Sequence, residues 1–474
     1  MAVISVESKW EAGPARRRLM PVLFIGVFMS ALDTAVIGPA IPALREAFDV
    51  DNRQVGLVMI VFILCSLCST ALTASLSDRY GRRPIYLFSV GCFAVGSLLI
   101  ALSPRFWMIV ASRAIQGLGA GGITPTASAV VGDTFPPAER GRALGLIGAT
   151  YGMAFALGPP LAGLLMVTLS WRWIFLVNLP IAAVVLVLGR RALPAVRPAA
   201  APPVIDLGGI ATTFLLLISI VLGVTRIADN LWQLELWPWF LAAAAILGAL
   251  LIVVERRAAQ PMIPLSLFGN RRLATAYVLA VGGGFGMGSI IFLTSVATVG
   301  FGVTSQRAGF VLLPLVIASM LGSAGSGRLL NRVGARGLLL AGFALLGLGY
   351  GACAITAYGL PFFLAASVPV GLGLGVVVGG ALRSIAIDEA PASLRATAQG
   401  LINIFNAVGT LTAGAAIGAI ADFSGGGGAG FGRAYIGVAI VMLAMLAVTL
   451  RLRPDKLRPD KLRATGEAPT DKPR

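Results

Sequence analysis

Two ionisable side chains stand where ionisable side chains are expensive. Asp33 is a carboxylate well inside a long apolar run, and Arg113 is a basic residue well inside another. A charge at the centre of a bilayer costs about 2.5–3.5 kcal/mol on insertion scales, so such a residue needs a compensating role. The chain has no histidine, which removes imidazole bases, His-based metal sites and Ser-His-Asp hydrolysis. A buried carboxylate is then the natural group to take up and release a proton. The simpler alternative for Asp33 is a structural hydrogen bond to a neighbouring helix. Depth links the pair: at 1.5 Å per residue Asp33 lies roughly 20 Å from one membrane face and Arg113 roughly 10 Å from the other. In a core about 30 Å thick these heights coincide, so both are expected to face one cavity. Gln116, one turn from Arg113, can share their network or make an ordinary interhelical hydrogen bond. Gln399, Asn403, Asn406 and Thr410 follow one another at steps of 4, 3 and 4, which puts them on one helical face. Such a polar stripe is expected to line the substrate cavity together with Gln116. Uncharged amides opposite one Asp suit a neutral or monocationic amphiphile.

The elements that position these groups must be membrane helices. The 474 residues are 57% hydrophobic and 12% charged, with mean hydropathy +0.89. A soluble globule of this length needs far more polar surface, and a disordered chain lacks long apolar runs. A span needs about 20 apolar residues, and the sequence offers fourteen such runs between residues 20 and 450. The expected fold is an all-α polytopic membrane protein with 14 transmembrane helices and both termini cytoplasmic. The first run follows Arg16, Arg17 and Arg18 but is too long for a signal peptide and lacks a cleavage site, so it is expected to stay as a helix. With the termini inside, 29 of the 37 Lys+Arg fall in cytoplasmic segments, 7 fall outside, and Arg113 alone lies within a helix. That asymmetry is the positive-inside signature. The net charge of +17 therefore reads as topology and contact with anionic lipid headgroups. Nucleic-acid binding would want one basic soluble face, and there is none. Cys65, Cys68, Cys92 and Cys353 lie in apolar runs and read as packing, with no cofactor or metal set beside them. No G-x-x-x-x-G-K-[ST] loop is present, so ATP is not expected as the energy source.

An internal repeat divides the chain. Leu76, Arg79, Gly81 and Arg83 match Leu329, Arg332, Gly334 and Arg336 at one offset of 253. Both copies sit in a short loop after the second helix of a six-helix block. The expected organisation is a cytoplasmic tail (1–19), a six-helix bundle (20–189), a linker with two extra transmembrane helices (190–272), a second six-helix bundle (273–450) and a basic tail (451–474). Parallel repeats of this kind are a transporter architecture.

The loop Asp78-Arg-Tyr-Gly-Arg-Arg83 resembles the first cytoplasmic-loop motif of the major facilitator superfamily. The 6+2+6 helix pattern resembles its fourteen-helix drug:proton antiporter branch. Leu32-Asp33, Arg113-Ala-Ile-Gln-Gly117, Gly145 with Gly158-Pro159 and Gly163, and Trp171-Arg-Trp-Ile-Phe175 with Asn178 and Pro180 resemble further motifs of that branch. Ala74, Asn331, Ala35 and Gly38 depart from the pattern, and the changes touch the cavity more than the scaffold. The resemblance implies a monomeric, proton-coupled exporter of amphipathic organic compounds in a bacterial cytoplasmic membrane. Its partners would be a small-molecule substrate and protons. Asp33 and Arg113 would couple the proton. Gly145, Gly158, Pro159 and Gly163 would form a hinge that seals the cavity, where the simpler alternative is tight packing. Asp78, Arg79, Gly81, Arg82, Arg83, Asn331 and Arg332 would form gating loops, because a boundary carboxylate can cap a helix N-terminus or pair with Arg in one conformation and release it in the other. Asn331 cannot make the charge pair, so the two halves are expected to latch unequally. Other cargoes remain open, a lipid or native metabolite among them, as does a non-transporting sensor or assembly role.

Overall fold

A computed structural model describes residues 14–50, 52–194, 206–229, 237–258, 261, 263–303, 311–355, 359–424 and 427–452. Most of the two tails, most of the Pro194–Pro203 linker and the side chains of Pro159 and Asn331 lie outside the described residues. The helices are α1 (Pro14–Phe48), α2 (Asn52–Tyr80), α3 (Arg82–Leu102), α4 (Phe106–Thr134), α5 (Pro137–Thr168), α6 (Arg172–Leu176), α7 (Asn178–Ala192), α8 (Leu207–Asp229) and α9 (Trp237–Arg257). They continue with α10 (Ser266–Gly269), α11 (Arg271–Ser289), α12 (Ile291–Phe301), α13 (Leu313–Cys353), α14 (Gly359–Val376), α15 (Leu382–Glu389), α16 (Arg395–Phe423) and α17 (Gly427–Leu450). A π turn, Val377–Ala381, joins α14 to α15.

Within the described residues, each apolar run of the sequence falls on these helices. The run at 173–189 is split between α6 and α7, where Pro180 supplies no N–H for the carbonyl four residues back. Among the described residues, ten stretches are long and apolar enough to cross a membrane, judged by length and composition. The chain is an all-helical polytopic membrane protein.

The repeated loop has a conformational reason for its glycine. Gly81 separates α2 from α3 at φ 99, ψ 158, and Gly334 bends α13 at φ 76, ψ 165. That corner of backbone space is essentially reserved for glycine. Gly81→Ala and Gly334→Ala are each expected to cost about 1–3 kcal/mol, read as a lower unfolding midpoint of the detergent-solubilised protein.

Helices α1–α7 pack on one another through α1–α5, α2–α4, α3–α4 and α3–α7 contacts. Helices α11–α17 do the same through α11–α16, α13–α14 and α13–α17. The two groups meet along a seam in which α5 lies against α13 and α2 against α16. Gly148 faces Gly379 across this seam, where a Cβ would sit 2.5 Å from the Gly379 Cα. Helices α8 and α9 pair, and α8 packs on α2 and α16. Leu217 and Val221 of α8 share a core with Leu67, Cys68 and Ala71 of α2. Helix α9 is mostly exposed, with Glu255 its buried residue, as expected of a helix that faces lipid on most sides.

Candidate functional site

The first group of helices holds a buried polar cluster, and beside it the two groups enclose a cavity on the seam. Asp33 of α1 and Arg113 of α4 are each 1% exposed and form an ion pair, with Arg113 Nη1 2.6 Å from Asp33 Oδ2. Gln116 bridges them: its Nε2 donates to Asp33 Oδ1 at 2.9 Å, and its Oε1 accepts from Arg113 Nη1 at 2.6 Å. Asn178 Nδ2, at the start of α7, donates to the same Asp33 Oδ1 at 3.1 Å. Ser97 Oγ of α3 accepts from both Gln116 and Asn178. Gly96 permits this meeting, because a Cβ there would lie 2.6 Å from the backbone of Gln116. The Arg113 guanidinium lies between the rings of Phe62 and Phe175, 5.0 and 5.1 Å from their centroids. Asp33 thus accepts three hydrogen bonds, from Arg113, Gln116 and Asn178. Ser97 and Asn178 were not singled out from the sequence as site residues. The signal for Asn178 was an amide at the head of an apolar run; a serine such as Ser97 carries none.

A cavity of about 180 Å³ lies at the seam. Ser30 and Thr34, which flank Asp33 on α1, line it, and so does Phe62, whose ring faces Arg113. Asn403 and Asn406 line it from α16. The other expected lining residues point elsewhere. Gln116 belongs to the Asp33 cluster, the Gln399 amide donates to the Arg383 carbonyl, and Thr410 donates to the Gly284 carbonyl. The stripe divides because two close-packed helices, α11 and α15, take up its ends.

The expectation that Arg113 is the one basic residue within a helix needs correction. Arg383, placed by sequence in a cytoplasmic loop, is 4% exposed and lines the cavity. The helix runs on past residue 382 through the π turn. An extra residue in a helical turn rotates everything after it by about 100°, and that carries Arg383 to the seam.

The Asp78 loop forms a latch between the groups. Asp78 accepts from the Ala396 and Thr397 amides at 3.1 and 2.8 Å and from Thr397 Oγ1 at 2.7 Å. It therefore caps the N-terminus of α16 and also pairs with Arg82. Asp133 joins Arg82 at 2.9 Å to Arg395 at 2.8 Å. A second bridge runs from Arg140 to Asp388 at 3.5 Å. Asp133 and Arg140 have the same spacing as Asp388 and Arg395, a second match between the two halves. Arg79 donates to the Pro261 carbonyl at 3.0 Å. Arg83 is half-buried without a side-chain hydrogen bond among the described residues, and Arg332 is exposed. Asp78→Asn keeps an acceptor for the α16 amides but loses the charge on Arg82. The latch is expected to weaken by about 1.5–3 kcal/mol. Spin labels at Phe88 and Leu450 would report it as a longer-distance population.

The glycines of α5 act at two places. Gly145 meets α13, where Ser323 Oγ donates to its carbonyl at 2.8 Å. Gly158 meets α1, where a Cβ would lie 2.7 Å from that of Ala35. Gly163 has nothing within 4 Å of a built Cβ, so close approach does not explain it.

Comparison with known proteins agrees with this architecture. The family model described as Major Facilitator Superfamily matches residues 23–414 and 277–472. "Uncharacterized MFS-type transporter YfiU" of Bacillus subtilis is 31% identical over 81% of this chain and 76% of its own length. The "Tetracenomycin C resistance and export protein" of Streptomyces glaucescens is 31% identical over 82% and 73%, and "Multidrug resistance protein Stp" of Mycobacterium tuberculosis is 31% identical over 84% and 74%. The crystal structure of the human organic anion transporter MFSD10 (TETRAN) matches with a TM-score of 0.69 over 92% of this chain and 100% of that chain. At 19% identity that likeness shows the fold alone. The chain belongs to the major facilitator superfamily and is a transporter, not an enzyme.

Proposed function

We propose that this chain is a proton-coupled antiporter that exports amphipathic organic compounds by alternating access. In this reading fourteen helices cross the membrane, and the tails and the Asp78 end face the cytoplasm. Residues 20–189 and 273–450 are the two moving halves. The observation that carries the proposal is the buried Asp33–Arg113–Gln116 cluster behind the cavity wall. Protonating Asp33 removes the counter-ion of Arg113 in a deeply buried place. Arg113 must then rearrange, and it packs on Phe62, which lines the cavity. A proton is in this way converted into a change at the substrate site. The latch through Asp78, Asp133 and Arg395 supplies one of the two stable states that alternating access needs. The drug-resistance and export relatives, at about 30% identity, support the direction and class of cargo.

The test is reconstitution into proteoliposomes with an imposed pH gradient and a chemically varied cargo panel. Addition of a transported compound should dissipate the gradient. A folded protein that moves cargo without proton flux would overturn the coupling, and one that moves none of the panel would overturn the exporter reading.

A further inference from the structure

The cavity holds a cation that the coupling cluster does not use. Arg383 is the charged side chain that lines it among the described residues, and no carboxylate lines it. Of the five N–H donors of a guanidinium, the described partners satisfy one: Nη1 donates to Ser128 Oγ at 3.1 Å. Its Nε is buried without a partner. The Asp33 carboxylate is committed to Arg113, Gln116 and Asn178, and Asp388 and Glu389, nearby in the sequence, pair with Arg140 and Arg272. The Arg383 backbone is held in place by the Gln399 amide. An unpaired cation buried this deeply carries a desolvation cost that a bound anion would relieve. The planar fork of Arg suits carboxylate and sulfonate oxygens in particular.

We propose that Arg383 is the substrate-charge receptor of the cavity and that the cargo is an amphipathic organic anion. Its acidic group would sit on the Arg383 guanidinium. Tyr151, Asn403 and Asn406 supply further polar groups to the same cavity. Phe62, Met287 and Ile402 supply the apolar wall for the rest of the molecule. This reverses the charge preference expected from the sequence, where the one Asp dominated and Arg383 was assigned to a loop. The inference names the substrate class of the transport site proposed above and rests on that reading only for what happens after binding.

The test is equilibrium dialysis of the purified full chain against naphthalene-2-sulfonate and the matched cation 2-naphthyltrimethylammonium. The sulfonate is expected to bind at least tenfold more tightly. Arg383→Gln should weaken the sulfonate at least tenfold and leave the cation unchanged or tighter, whereas Arg383→Lys should keep the anion preference. Equal affinities for the two probes in the wild-type chain overturn the proposal even if the Gln variant does not fold. So does undiminished sulfonate binding to folded Arg383→Gln. Phosphatidylglycerol added as competitor separates the two sources of the acidic group: Arg383-dependent displacement identifies a lipid anion, and its absence a soluble one. The assay needs no proton gradient, so anion binding can stand where proton-coupled export fails, and the reverse.

Discussion

Asp33→Asn is expected to abolish proton-coupled export while leaving a folded protein. Asn keeps the shape of Asp, and its carbonyl oxygen can still accept from Gln116 or Asn178. It cannot bind and release a proton, and it offers Arg113 no charge. In proteoliposomes the proton flux evoked by cargo should fall at least 100-fold, a factor that corresponds to about 2.7 kcal/mol of lost driving interaction. Cargo binding should fall much less, because Asp33 does not line the cavity. Wild-type flux from the Asn variant would remove Asp33 from the mechanism.

The second large effect is on stability. Arg113→Met removes one partner of a pair whose members are each 1% exposed. Breaking a buried pair from one side costs about 3–5 kcal/mol, because the remaining charge has no solvent. Gln116 and Asn178 soften this by two hydrogen bonds to Asp33, so the lower half of that range is expected in detergent. The loss is relieved if Asp33 takes up a proton. Adding Asp33→Asn to Arg113→Met should therefore recover much of the stability and none of the transport. If the double variant is as unstable as Arg113→Met, the pair is not what holds this part of the fold together. The comparison separates the structural role of the cluster from its role in coupling.

The Asp33–Arg113 association could be anticipated because both charges are forced inward by the same cost. Two ionised groups at one depth in an apolar medium have few places to go except toward each other. Spacing put Gln116 one turn from Arg113 but left open an ordinary interhelical hydrogen bond; the structure shows it bridging the pair. Ser97 could not be anticipated, since buried serines are common in these helices and several bond to their own backbone, as Ser112 does to the Met108 carbonyl. The stripe from Gln399 to Thr410 shared a face, but a helix face 12 residues long meets more than one neighbour. Asn403 and Asn406 reached the cavity, while Thr410 was taken by α11 and Gln399 by the turn that carries Arg383.

The sequence by itself determined the class: apolar runs of span length, a loop repeated at one offset, and two ionisable residues inside apolar runs. These follow from solvation and sterics, which act locally and can be read along the chain. The tertiary structure decided which polar groups share a space. It joined Asp78 to the start of α16, more than 300 residues away, and it gave Asp133 to Arg395. It also turned Arg383 inward through a π turn that no periodicity signals. The physical reason is the same in each case. Contact between distant segments depends on how two helical groups dock, and one added residue in a turn changes which face a charge presents.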